Sequence, residues 1–287
     1  MTDPRPVASV QSSQPTIEGA GVRLKRAFGY YEAPGLDPFL LLDDFHSADP
    51  RDYIAGFPWH PHRGIETVTY VIEGDVDHGD SIGNSGTIGS GDVQWMTAGG
   101  GIVHQEMPRE HRGTLQGFQL WVNLPASDKM MGPRYRGVTR EQIHTSNPSK
   151  GVAVKVIAGK VGRIEGPVTD LIVETEYLDV EMEPYAEFDH KTRKGWKVFA
   201  YVFGGDGSFD PANRDKVGTE NLLVFGTGDA VVSRAGKNGL RFLLVSGKPI
   251  GEPIAWRGPI VMNTEKELDI AYDEYWNGRF LGHAQAH

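Results

Sequence analysis

Two blocks of this 287-residue chain occur twice, in the same order. VTYVIEGD (Val68 to Asp75) resembles FAYVFGGD (Phe199 to Asp206), and IGSGDVQWMTA (Ile88 to Ala98) resembles FGTGDAVVSRA (Phe225 to Ala235), with a slightly longer loop between the blocks of the second pair. Such self-similarity is the mark of one supersecondary unit built twice. Each block carries a short run of apolar, β-branched or aromatic residues bounded on one side by glycine. Runs of this kind recur roughly every ten residues among 37 glycines and 18 prolines, the pattern of β-sandwiches and barrels. The expected fold is therefore all-β, with one module over residues 1–140 and the other over 141–287. The cut falls in MGPRYRGVTREQIHTSNPSKG, Met131 to Gly151, where alternation is lost.

One helix is legible near the C-terminus. Thr264 and Glu267 have capping-box spacing, and Leu268, Ala271, Tyr272, Tyr275 and Trp276 follow at helical intervals before Gly278. Its aromatic stripe is read as packing on a sheet. The opening segment, MTDPRPVASVQSSQPTIEG, has no apolar run behind a basic start and is expected to be a frayed polar tail.

Composition narrows the chemistry. With no cysteine, thiolate catalysis, iron–sulfur clusters and disulfides are excluded, so any metal must be held by nitrogen and oxygen. The formal charge is −9, and the 29 Lys and Arg residues are scattered rather than gathered in a stripe, which argues against direct nucleic-acid binding. No apolar stretch reaches the roughly 18 residues a membrane span needs, and a cytoplasmic location is expected.

Histidine spacing then singles out two places. In FPWHPHRGIETVTYVIEG, Phe57 to Gly74, His60 and His62 stand two apart; in TAGGGIVHQEMP, Thr97 to Pro108, His104 and Glu106 do the same. Residues two apart on a strand share a face, so each pair projects two ligands together. If the two strands are neighbours, three imidazoles and one carboxylate converge, a set suited to a divalent first-row metal (Fe, Mn, Co, Ni, Cu or Zn) and not to Ca or Mg. Counting back in twos from Val68, Tyr70 and Ile72 reaches Glu66, His62 and His60. That parity makes Glu66 an alternative ligand or a support for a ligating histidine, and makes Val68, Tyr70 and Ile72 pocket residues, with Trp95 and Met96 near the mouth.

The remaining histidines, His46, His78, His111, His144, His190, His283 and His287, lack a partner at ligand spacing and are read as solvated or locally bonded, with His46 and Asp44 as outlying supports. The second copy offers a control. Aligning Tyr70 on Tyr201 and Asp92 on Asp229 puts Lys191 and Arg193 where the first histidine pair stands, and Arg241 and Leu243 where His104 and Glu106 stand. Cations and leucine hold no metal, so the second module is expected to be metal-free.

At FPWHPHRGIETVTYVIEG, GDVQWMTAGGGIVHQEMP, LWVNLP and LRFLLVSGKPIGEPIAWRGPIVMNT the sequence resembles the pirin family, the two-domain branch of the cupin superfamily. The resemblance implies two tandem jelly-roll cupin β-barrels with a C-terminal α-helix. The general cupin pattern is matched by His60, His62, Glu66 and His104, with two departures: seven residues rather than six between Glu66 and Gly74, and Thr97 where proline is usual. The pirin pattern instead implies His60, His62, His104 and Glu106 as ligands, most often to Fe(II). It further implies a quercetin 2,3-dioxygenase-like reaction on a small aromatic substrate with O2, in which Glu106 takes the substrate proton. The alternative it implies is a metal-binding, redox-sensitive regulator that meets a partner protein without turnover.

Overall fold

A computed structural model describes residues 3–110, 113–210 and 215–282. More than half the chain is strand, in two β-sheet units. Each unit is assembled from two segments, Met1–Gln14 with Glu141–Pro249 and Pro15–Arg140 with Ile250–His287. A linear division at residue 140 therefore misses an exchange of ends: the terminal helix belongs with the histidine-bearing module. Among the described residues no helix is long and apolar enough to cross a membrane.

The unit containing Glu141–Pro249 is a nine-stranded antiparallel sheet curled around Val154, Leu178, Val180, Val198 and Phe242. From Asp3 to Ser12 the opening segment is part of it and not a frayed tail, while Gln14–Glu18 joins the sheet of the other unit. Val7–Ser12 is an edge strand that pairs with Asn221–Phe225, Val10 opposite Leu223. None of its residues is buried, so its polarity reflects exposure along the whole strand, and backbone pairing with a distant strand leaves no local sequence signal. Arg5 anchors the segment by donating to Thr192 Oγ1 (2.7 Å) and the carbonyls of Gly226 (2.7 Å) and Arg193 (2.9 Å).

The other unit faces a seven-stranded sheet with a four-stranded one. The larger runs Arg134–Val138, Val93–Thr97, Ile65–Glu73, Leu115–Asn123, Phe39–Ser47, Val22–Phe28, Gln14–Glu18; the smaller runs Phe57–His62, Ile102–Pro108, Val76–Asp80, Ser85–Ile88. The Met131 to Gly151 stretch thus contains a strand, Arg134–Val138, in its first half. Along Ile65–Glu73 the odd positions face inward: Val71 packs with Val22, Leu24, Phe45 and Leu115, and Ile65 with Leu40, Met96 and Ile102.

The C-terminal helix, Glu265–Trp276, has both halves of its capping box: Glu267 N–H donates to Thr264 Oγ1 (3.2 Å) and Thr264 N–H to Glu267 Oε2 (2.8 Å). Leu268 and Ala271 are its buried residues, packed on Ile260, Met262 and Phe280. The aromatic stripe packs only in part, since Trp276 at the last turn is 77% exposed.

Candidate metal centre

Two turns bring the histidine strands together. Gly64, at φ 78°, ends the strand of His60 and His62; a β-carbon there would lie 1.9 Å from the Val261 carbonyl oxygen. Gly99, at φ 51°, breaks the chain before the strand of His104, where a β-carbon would lie 2.1 Å from the Met131 carbonyl oxygen. Only glycine fits either place. The turns are bonded to each other, Gly64 N–H to Gly99 O at 2.8 Å. The strands Phe57–His62 and Ile102–Pro108 then pair antiparallel with His104 directly opposite His60. In the second unit the chain has no such break: Ala230–Gly247 is one 18-residue strand that carries Arg241 and Leu243. The absence of ligands and the absence of the turn go together.

The three imidazoles form a tight group, with ring centroids 4.4 Å (His60, His104), 4.8 Å (His60, His62) and 5.0 Å (His62, His104) apart. One nitrogen from each lies within 4.8 Å of the others, the one such group among the described residues. Their tautomers are set by the backbone. His60 Nδ1 donates to Pro58 O (2.9 Å) and His62 Nδ1 to Pro259 O (3.1 Å), which leaves both Nε2 atoms as lone-pair donors facing each other at 3.0 Å. Neither has a proton to share. His104 is 1% exposed, and neither of its ring nitrogens has a hydrogen-bond partner. Buried, unpaired polar atoms of this kind are costly unless something else satisfies them. Burial also lowers the pKa of all three, His62 and His104 well below the ordinary value, so the rings are neutral and basic toward a cation. The donor set fits one divalent metal ion.

Glu106 shares the cavity but stands outside the tight group. It is buried, and burial pushes its carboxyl up to about 6, against the hydrogen bond from Thr69 Oγ1 at 2.8 Å. Thr69 Oγ1 also lies 2.7 Å from the Gln119 amide. One hydroxyl has one proton, so the amide orientation that completes both contacts has Gln119 donating to Thr69 and Thr69 to Glu106. Together His60, His62, Thr69, Gln119 and Glu106 open into a cavity of about 670 Å³ with largely apolar walls.

The parity argument for Glu66 and the pocket residues does not hold. Gly64 ends one strand and Ile65 begins another in a different sheet, so alternation is not carried across the break. Glu66 accepts from Thr97 Oγ1 (2.6 Å), with Arg136 4.0 Å away, and neither joins the triad nor lines the cavity. Val68 and Tyr70 are fully buried on the same face as Glu66, and Ile72 is half-buried; the cavity is lined by Thr69 from the opposite face. Trp95 and Met96 are buried and not at the mouth, which has Tyr30 and Trp256 instead.

Other histidines fall as follows. His78 is in the strand Val76–Asp80, not a solvated loop; it pairs opposite Glu106 and stacks on Tyr135. His46 bonds Asp44 (2.8 Å) and His190 bonds Glu176 (2.9 Å). His111, His283 and His287 lie outside the described residues.

Sequence reasoning missed Lys129 and Arg63. The buried Lys129 ammonium donates to Gly64 O (3.0 Å), Asn123 Oδ1 (2.8 Å) and Val261 O (3.0 Å), and so clamps the turn beneath His62. Arg63, beside His62, is 1% exposed; it donates to Glu274 Oε2 (2.7 Å) and Phe280 O (3.1 Å) and lies 4.3 Å over the Phe280 ring. Nothing in their local sequence marks them, because their partners come from far along the chain.

A paired-sheet β-barrel with an inward histidine triad defines a cupin able to hold one metal ion, here followed by a second β-module without the triad. The chain belongs to the pirin family: the family's own pattern, "Pirin", matches residues 21–122 and "Pirin C-terminal cupin domain" matches residues 177–281. A pirin-like protein of Caulobacter vibrioides is 43% identical over 277 residues, 96% of this chain and 99% of that one. The crystal structure of a quercetin 2,3-dioxygenase from Acinetobacter baumannii superposes with a TM-score of 0.89 at 30% identity, over 96% of this chain and 98% of that one. A bacterial pirin from Escherichia coli, solved in complex with nickel(II), shares the fold at 21% identity with a TM-score of 0.64, over 84% and 98% of the two chains.

Proposed function

We propose that this protein is a metal-dependent dioxygenase that opens flavonol-like aromatic enols, with His60, His62, His104 and Glu106 holding one divalent metal ion, Fe(II) in the first place. The observation that carries this reading is the joint opening of His60, His62 and the Glu106 carboxylate into one apolar cavity of about 670 Å³. The similarity to a quercetin 2,3-dioxygenase over nearly the whole chain supports the substrate class.

When bound, the ion supplies Lewis acidity and a redox centre next to which O2 and the substrate's enol oxygens can meet. The protein's residues do the rest. Glu106, as ligand or released base, accepts the enol proton. Thr69 and Gln119 fix its orientation. The apolar walls, with Trp121 5.1 Å from the His62 ring, exclude water from the flavonolate and give its planar rings a stacking surface.

The test is O2 uptake by anaerobically Fe(II)-loaded protein with quercetin as probe. Wild type should consume O2 and release carbon monoxide, and Glu106→Gln should turn over at least about 100-fold more slowly. Loaded protein that consumes no O2 with quercetin, or a Glu106→Gln variant at full rate, would contradict the reading.

A further inference from the structure

One feature of the cavity is unlike the rest of its wall. Across the inner face of the seven-stranded sheet, Arg26, Asp43, Gln119 and Thr69 stand in one line, each opposite the next on the neighbouring strand. All four line the cavity, among apolar neighbours such as Val22, Leu24, Leu41 and Phe45. The row begins at Glu106, through Thr69, and ends toward solvent, where Arg26 forks onto Asp43 with two bonds of 2.8 Å and reaches Glu18 at 2.9 Å.

The row has no evident structural need. Replacing a buried ion pair with apolar side chains of similar volume often costs nothing in stability. Asp43 is 5% exposed, and burial leaves its carboxyl raised to about 6 even with the Arg26 fork in place. Its oxygens have acceptor capacity beyond the two Arg26 bonds. Two strand spacings, about 10 Å, separate Thr69 from Asp43. A lone phenol bound at Glu106 does not reach that far; a planar enol bearing a second aromatic ring does.

We propose that Asp43, held by Arg26 and flanked by Gln119, is a distal recognition site that selects enols with hydroxyl groups on a second ring. This rests on the dioxygenase reading for the near end of the substrate. Phenolic hydroxyls donate to Asp43 and to the amide oxygen of Gln119 beside it, and the apolar walls cover the ring faces. A substrate without distal hydroxyls covers Asp43 without using its remaining acceptor capacity and is disfavoured.

Binding separates the two claims. Fe(II)-loaded protein is titrated anaerobically with quercetin and with 3-hydroxyflavone, which lacks the distal hydroxyls, and quenching of Trp121 and Trp256 at the cavity wall is followed. Wild type should bind quercetin about tenfold or more tightly than 3-hydroxyflavone, the size expected of one hydrogen bond to a charged group. Asp43→Leu should bring the two affinities within roughly threefold by weakening quercetin alone, and Gln119→Leu, which leaves the ion pair intact, should narrow the ratio in the same direction. If Asp43→Leu does not fold, Gln119→Leu decides. Equal affinities in wild type, or an unchanged ratio in the folded variants, would overturn the distal site while leaving the dioxygenase reading intact. Binding of neither flavonol by loaded wild type would overturn both.

Discussion

The Nε2 atoms of His60 and His62 face each other at 3.0 Å, each with its Nδ1 proton committed to a backbone carbonyl. Two lone pairs in that position repel unless a cation lies against them, and His104 completes the triangle with two unpaired ring nitrogens. The arrangement is one that a bound metal stabilises and an empty fold does not. Added Fe(II), Ni(II) or Zn(II) should therefore raise the melting temperature of metal-stripped protein and saturate at one equivalent. At a free concentration of 100 times Kd the gain is about 2.7 kcal/mol. A melting curve indifferent to all three ions would speak against the site.

The Gly64 to Gly99 bond makes both turns part of the site. Gly99→Ala should destabilise the protein by at least about 1–3 kcal/mol, the cost of a left-handed non-glycine residue, with the Met131 carbonyl clash added, and should weaken metal binding. Gly137→Ala, where a β-carbon meets nothing within 4 Å, is the control and should leave both unchanged. Urea denaturation of the two variants checks this.

Lys129 gives stability a pH dependence of definite sign. Burial lowers its pKa to about 7 in the folded protein from 10.5. Between these values the unfolded chain binds more protons than the folded one, so this group adds stability as pH rises from 7 to 10 and its cost is fully present below 7. In Lys129→Met that contribution should vanish, while three orphaned acceptors lower stability by about 1–3 kcal/mol at every pH. Denaturation of both proteins across pH 6–10 should show the difference; parallel curves would contradict it.

Arg63 and Glu274 tie the terminal helix to the residue beside His62. Glu274→Ala leaves a buried guanidinium short of its counter-charge and should cost about 3–5 kcal/mol. Thr264→Ala, which removes the helix cap, should cost only about 1 kcal/mol. Calorimetry of the two variants would test the order, and a larger loss at Thr264 would reverse it.

The triad was legible from sequence because each ligand pair keeps strand parity within a single strand, and because Lys191, Arg193, Arg241 and Leu243 in the second copy supplied a contrast. The pocket was not. Counting in twos from Val68 to His60 crosses Gly64, whose positive φ ends one sheet's strand and starts another's, so the phase is lost and Thr69 rather than Val68 faces the cavity. Six of the cavity's twenty-five lining residues also come from Val22–Phe28 and Phe39–Ser47, strands whose place beside the histidines depends on long-range pairing. The capping box of Thr264 and Glu267 was readable because it is local. The exchange of terminal segments between the two units was not, since the pairing of Val10 with Leu223 is written in no short stretch.

The most direct test of the account is the metal content of protein purified anaerobically after reconstitution with Fe(II), measured by elemental analysis for wild type and His104→Ala. Wild type should hold one ion per chain and His104→Ala, with circular dichroism unchanged, close to none. Equal metal content in the two proteins, or none in wild type, would contradict the assignment of His60, His62 and His104 as a metal centre.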